Sequence, residues 1–227
     1  MYFDPMYFLF ILPGLILSLW AQFKVKSTFA KYNKTYTSQG LTGAQAARQI
    51  LDANGLYNVP VEQVAGDLTD HFDPKTNVVR LSYSTFNNPS IGAVGVAAHE
   101  VGHALQYANG YVPIKIRSAI VPVCNVGSGL SVPLIILGFI LSMPGLSYVG
   151  IALFSLVVLF QVVTLPVEFN ASSRAIKTLD SMAMTTPEET KGAKKVLSAA
   201  ALTYVAAMLT SILQLLYYIS LASRRRN

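Results

Sequence analysis

The chain has 227 residues, 52% of them hydrophobic and only 12% charged, with a formal net charge of +6. Soluble domains carry about a quarter charged residues, so this composition excludes an ordinary water-soluble domain and indicates an integral membrane protein. The basic excess does not read as a nucleic-acid footprint, because the lysines and arginines flank apolar segments and form no compact patch along the sequence.

The first apolar run covers residues 6–23. No basic region precedes it and no small-residue cleavage site follows, so a retained transmembrane helix is expected, with Trp20 and Lys24 as interfacial anchors. A polar segment over 24–117 follows, long enough for a small domain that leans on the membrane part for core. Within it, 42–54 reads as a helix with Thr42 as N-cap and Gly55 just past its end. Residues 68–72 and 78–83 read as strands around the turn-rich Asp73-Pro74-Lys75-Thr76-Asn77. An exposed edge of that hairpin can hold an extended peptide by main-chain hydrogen bonds, or the hairpin simply covers one side of the core. A helix over 90–109 is expected next, capped by Ser90 and ended by Gly110.

That helix carries His99-Glu100-Val101-Gly102-His103, which holds two of the three histidines in the chain. Residues four apart share a helix face, so His99 and His103 can reach one metal ion. Glu100 is rotated about 100° from His99 and can address a water nucleophile instead. The bland alternative is a buried helix with two satisfied histidines. Gly95 and Gly102 lower helix propensity and make sense where another helix or a substrate approaches closely.

A second apolar run covers 118–143, Pro144-Gly145 is expected to turn the chain, and a third run covers 146–165. The segment 166–196 reads as helical, and 197–227 holds a fourth apolar run and a basic tail, Arg224-Arg225-Arg226. Each run suits a hydrocarbon core of about 30 Å. Cys124, the single cysteine, lies in the second run, so no intrachain disulfide forms and a packing role is expected. Fourteen of the seventeen lysines and arginines fall in 24–117 and 171–195, which four crossings place on one side, expected to be cytoplasmic. The basic tail then falls on the opposite side, against the same rule.

A catalytic zinc needs three protein ligands and an open position. An extended motif with a third helical histidine is excluded, because Gln106 and Asn109 occupy the required positions. The spare candidates are His71 and a downstream carboxylate: Glu168, Asp180, Glu188 or Glu189. Glu168 stands out at a membrane border, where a carboxylate is costly without a strong partner such as a metal, or else pairs with Arg174. Pro166 is expected in the first turn of a new helix that would fix the direction of Glu168.

The strings Leu68-Thr69-Asp70-His71-Phe72-Asp73-Pro74, Ala97-Ala98-His99-Glu100-Val101-Gly102-His103-Ala104-Leu105-Gln106 and Leu165-Pro166-Val167-Glu168-Phe169, with the weaker apolar string over 200–207, resemble the YugP-type membrane zinc metallopeptidases of bacteria over nearly the whole chain. The resemblance implies Zn2+ as cofactor, Glu168 as third ligand beside His99 and His103, and Glu100 as general base. The wider gluzincins, HtpX-like and CAAX prenyl proteases among them, often carry Glu-x-x-x-Asp, the Asp orienting a ligand histidine. Ser172 stands there instead, leaving Asn170 or Asp70 to supply the hydrogen bond. The oxyanion donor is expected among His71, Tyr107 and Arg174.

The sequence therefore reads as a mostly α integral membrane protein with about four transmembrane helices and a small α+β zincin-like peptidase unit. The expected activity is a zinc metalloendopeptidase at the cytoplasmic surface of a bacterial inner membrane, acting on protein or peptide substrates and not on nucleic acid. Two alternatives stand beside it: a non-catalytic scaffold or holdase with a structural metal site, and an intramembrane metalloprotease. A structural zinc usually takes four protein ligands, often cysteines, and Glu100 is not needed to bind metal, so both features favour the enzyme.

Overall fold

The computed structural model describes residues 5–224; the expectations for Arg225 and Arg226 of the basic tail lie outside them. In chain order the elements are α1 (Pro5–Tyr32), α2 (Gly43–Ala53), β1 (Val61–Val64), β2 (His71–Asp73), β3 (Val78–Ser82), α3 (Tyr83–Phe86), α4 (Ile91–Ala108), α5 (Val112–Ile140), α6 (Pro144–Ser181) and α7 (Pro187–Arg224). Helices α1, α5, α6 and α7 are long and apolar enough to cross a membrane. The protein is a mostly α membrane protein with a small α+β part. It divides into two compact units, each built from separated stretches of chain.

One unit takes the described residues of Met1–Gln22, Pro113–Pro166 and Thr203–Asn227. Leu9, Ile16, Val126, Ile140 and Leu159 stand exposed on it, as lipid-facing side chains do. Its helices meet through small residues. A Cβ on Gly14 would lie 3.0 Å from the Thr210 methyl, and the Thr210 hydroxyl donates to the Gly14 carbonyl at 3.0 Å. Cys124 is buried and its thiol donates to Leu156 O at 3.4 Å, a packing role. Two details of the sequence reading change here. Pro144 is the first residue of α6, not part of the turn; the turn is closed by Met143 N–H donating to Gly138 O at 2.9 Å, with Ser142 at φ 54°. And α6 runs without a break through Pro166, so that proline sits in a helix interior and not in a first turn.

The other unit takes Phe23–Val112 and Val167–Leu202. Its sheet has the order β1-β3-β2, with β2 antiparallel to β3 (Phe72 opposite Val79) and β1 parallel to it (Gln63 opposite Leu81). The expected hairpin is present but shifted: β2 starts at His71, because Leu68 adopts φ 57° and breaks the extended chain. Strand β1 was not expected. Its four residues carry Glu62 and Gln63 in the middle, and its partner is distant in sequence, so no local pattern betrays it. Asp73 organises the hairpin turn, accepting from Lys75 N, Thr76 Oγ1 and Arg80. These donors hold its carboxyl well below the usual carboxylate range, the Arg80 guanidinium most of all.

Helix α2 has the expected cap at Thr42, which forms a capping box with Gln45, and Gly55 follows it at φ 73°. Helix α4 is buried along most of its length. The Ser90 hydroxyl accepts from Ala93 N at 3.1 Å and donates to Asn33 Oδ1 at 2.8 Å, fixing where α4 begins. Gly110 at φ 63° ends it, with Tyr111 N–H donating to Gln106 O at 2.9 Å. The core of this unit is formed by Ile50, Leu51, Val79, Leu81, Val94 and Val101, joined by Leu179 and Leu197 from α6 and α7.

Candidate metal centre

His99 and His103 project from one face of α4, their ring centroids 4.7 Å apart and their planes at 85°. For a third group to join them, α6 has to come very close to α4. Glycine makes this possible: a Cβ on Gly102 would sit 2.8 Å from the backbone oxygen of Ala171. Gly95 does the same for α7, where a Cβ would lie 3.1 Å from that of Ala193. The two glycines that weaken α4 as a helix are the points where its neighbours approach.

The approach brings in Glu168, which is 2% exposed. Its Oε2 lies 3.3 Å from His99 Nε2 and 3.6 Å from His103 Nε2. Ligand atoms of the three residues all fall within 4.8 Å of one another. This donor set fits zinc: two imidazole nitrogens and one carboxylate oxygen, a three-residue set of the catalytic type. Arg174, the expected bland partner of Glu168, is engaged elsewhere. Its Nε donates to Asn170 Oδ1 at 2.8 Å, and its guanidinium carbon lies 6.0 Å from the centre of the Tyr111 ring.

The far nitrogens of both histidines are also engaged. Ser172 Oγ lies 3.1 Å from His99 Nδ1, and Gln106 Oε1 lies 3.0 Å from His103 Nδ1. A proton on each Nδ1 satisfies these contacts and leaves each Nε2 lone pair for a metal. Ser172 thus takes the orienting position itself, which corrects the expectation that Asn170 or Asp70 would. A short hydroxyl suffices because α6 is so near. Asp70 instead accepts from Ser82 N and Ser82 Oγ. Asn170 contributes one step further out: fully buried Gln106 donates to Asn170 Oδ1 at 3.0 Å and to Val167 O at 2.8 Å. The relay Arg174–Asn170–Gln106–His103 went unread in the sequence, where Gln106 served only to exclude a third helical histidine. Its one legible signal is a polar residue on the same face as His103, three positions on.

Burial opposes a charge on His103, but the carboxylates of Glu168 and Glu100 and the Gln106 oxygen outweigh it and raise its pKa above the ordinary value of 6.5. Glu100 is buried, and Phe72 N–H of β2 donates to its Oε2 at 3.0 Å. The Phe72 ring lies 5.5 Å from that of Tyr107, so edge strand and helix are locked together beside this carboxylate. His71, the neighbour of Phe72, is exposed, and its Nδ1 lies 2.8 Å from Thr69 O. It does not join the ligand cluster.

Two comparisons bear on this geometry. The family described as "Putative neutral zinc metallopeptidase" matches residues 7–223. A curated protein of Bacillus subtilis (strain 168), described as "Putative membrane protease YugP", is 53% identical over 215 residues, covering 94% of this chain and 96% of its own. No solved structure matches.

Proposed function

The chain belongs to this zinc metallopeptidase family, and from that premise we propose that it is a membrane-embedded zinc metalloendopeptidase of gluzincin type, hydrolysing protein substrates at the cytoplasmic membrane surface. The observation that carries the reading is the convergence of His99, His103 and Glu168 within 4.8 Å, with the separate carboxylate of Glu100 one residue along the helix. Zinc held by the three ligands supplies Lewis acidity, lowering the pKa of water toward about 7 and polarising the scissile carbonyl.

Glu100 takes the proton of the attacking water as it adds to the carbonyl carbon, then hands it to the amine as the C–N bond breaks. The Phe72 amide fixes Oε2 of that carboxylate and leaves Oε1 for the proton. Because β2 is an edge strand, an extended peptide added along it runs past Glu100. The oxyanion donor is drawn from His71, Tyr107 and Arg174. With its Nδ1–H turned to Thr69 O, His71 can donate from Nε2 only as imidazolium.

The test uses the full chain in mild detergent, loaded with zinc, against quenched-fluorescence peptides and casein. Hydrolysis that a chelator stops and that Glu100→Gln abolishes is the expected result. A zinc-loaded wild type that cleaves none of them, or an equally active Glu100→Gln variant, would overturn the reading.

A further inference from the structure

The lysines that look scattered along the sequence come together on the second unit. On α1, Lys24, Ser27, Thr28 and Lys31 recur at helical spacing, and so share one face. On α7, Lys191, Lys194, Lys195 and Ser198 do the same. The two faces line one groove of about 800 Å³. This corrects the sequence reading that the basic residues form no compact patch; only the pairing of two helices about 160 positions apart creates it.

Gly192 sets the two faces together, since a Cβ there would lie 2.9 Å from the Tyr32 ring. All five lysines are exposed, and no carboxylate lines the groove. Glu188 reaches Lys191 at 3.8 Å, but both side chains are more than two-thirds exposed, so the pair neutralises little. Five positive charges thus stand around one hollow in a chain whose whole excess is +6.

The position of the groove selects its ligand. Lys24 directly follows the apolar run 6–23, and Lys195 stands two positions before the run that starts at 197. Trp20, an exposed aromatic of the interfacial kind, stands one turn before Lys24 on α1. The groove therefore opens at the depth of phospholipid headgroups. Its wall also holds Ala199 and Leu202, an apolar surface leading into the run of α7. Ammonium groups with hydroxyls beside them, next to an apolar wall, match a phosphate with an acyl chain attached. An acidic peptide would use the charges and leave that wall without a role.

We propose that this groove binds the phosphate headgroup of an anionic phospholipid. The test is native mass spectrometry of the full chain in detergent with added phosphatidylglycerol or phosphatidylcholine. Wild type should hold phosphatidylglycerol at least about tenfold more tightly, since each lysine near a membrane surface adds a severalfold factor. Lys24→Gln/Lys31→Gln/Lys194→Gln/Lys195→Gln should lose that preference. A control with Lys34, Lys75, Lys115 and Lys177 changed to Gln, all exposed and outside the groove, should keep it. Equal loss in the control, or no preference in wild type, would overturn the proposal. So would displacement of the lipid by millimolar inorganic phosphate, the mark of a free-phosphate site, or by poly-glutamate, the mark of an acidic peptide site.

Discussion

The two units bury their residues by opposite rules. In the unit around α5 and the first part of α6, helices touch through Gly14, Thr210, Ser131 and Gly150, while large apolar side chains point outward. In the other unit large apolar side chains point inward, and the buried polar groups fall into small hydrogen-bonded sets, Ser82 with Thr85 and Ser90 with Asn33, besides the His103, Gln106 and Glu168 cluster. Water drives the second arrangement through the hydrophobic effect. Lipid tails offer no such drive, so the first relies on close backbone approach. The metal centre needs both. Gly102 supplies the close approach, and the surrounding hydrophobic core keeps Glu168, Gln106 and His103 away from solvent.

The largest expected effect isolates chemistry from architecture. Glu100→Gln keeps an oxygen for the Phe72 amide, so the fold and zinc content should persist while peptide hydrolysis falls about 10²–10⁴-fold. Parallel turnover and elemental assays check it. The orienting contacts come next: Gln106→Leu and Ser172→Ala should each weaken zinc binding about 10–100-fold in a chelator competition. The packing comparison is sharpened by a pair of glycines. Gly102→Ala forces a Cβ against the Ala171 carbonyl and should cost about 1–3 kcal/mol together with zinc affinity. Gly129→Ala on α5 meets nothing within 4 Å and should change stability by less than about 1 kcal/mol in a thermal melt.

The smallest effect is read by pH. In the metal-free protein the raised pKa of His103 stabilises the fold below the ordinary value of 6.5, and that contribution is lost as pH rises through the raised value. Zinc competes for the same Nε2, so its affinity should fall by up to about tenfold per pH unit on acidification, which a chelator competition across pH reads directly.

How much of this was legible follows the range of each signal. The caps Thr42 and Ser90 and the terminators Gly55 and Gly110 are local patterns, and each stands where the sequence places it, while the four long apolar helices are present but run well past the apolar stretches that announce them. The shared face of His99 and His103 was legible because one helical turn encodes it. Glu168 needed the argument that a carboxylate at a membrane border wants a partner. What stayed hidden depends on neighbours far along the chain: strand β1, whose partner is β3; the Gln106–Asn170 relay between two helices; and the lysine groove. Pro166 misled because proline commonly opens helices, yet here α6 carries it through to reach Glu168 without a break.

The central claim is that Glu168, and not His71, completes the metal site. Elemental analysis of wild type, Glu168→Ala and His71→Ala, purified in mild detergent after zinc addition, tests it most directly. About one zinc per chain in wild type and His71→Ala, with little in Glu168→Ala, is the expected result. Zinc retained by Glu168→Ala and lost from His71→Ala would contradict it.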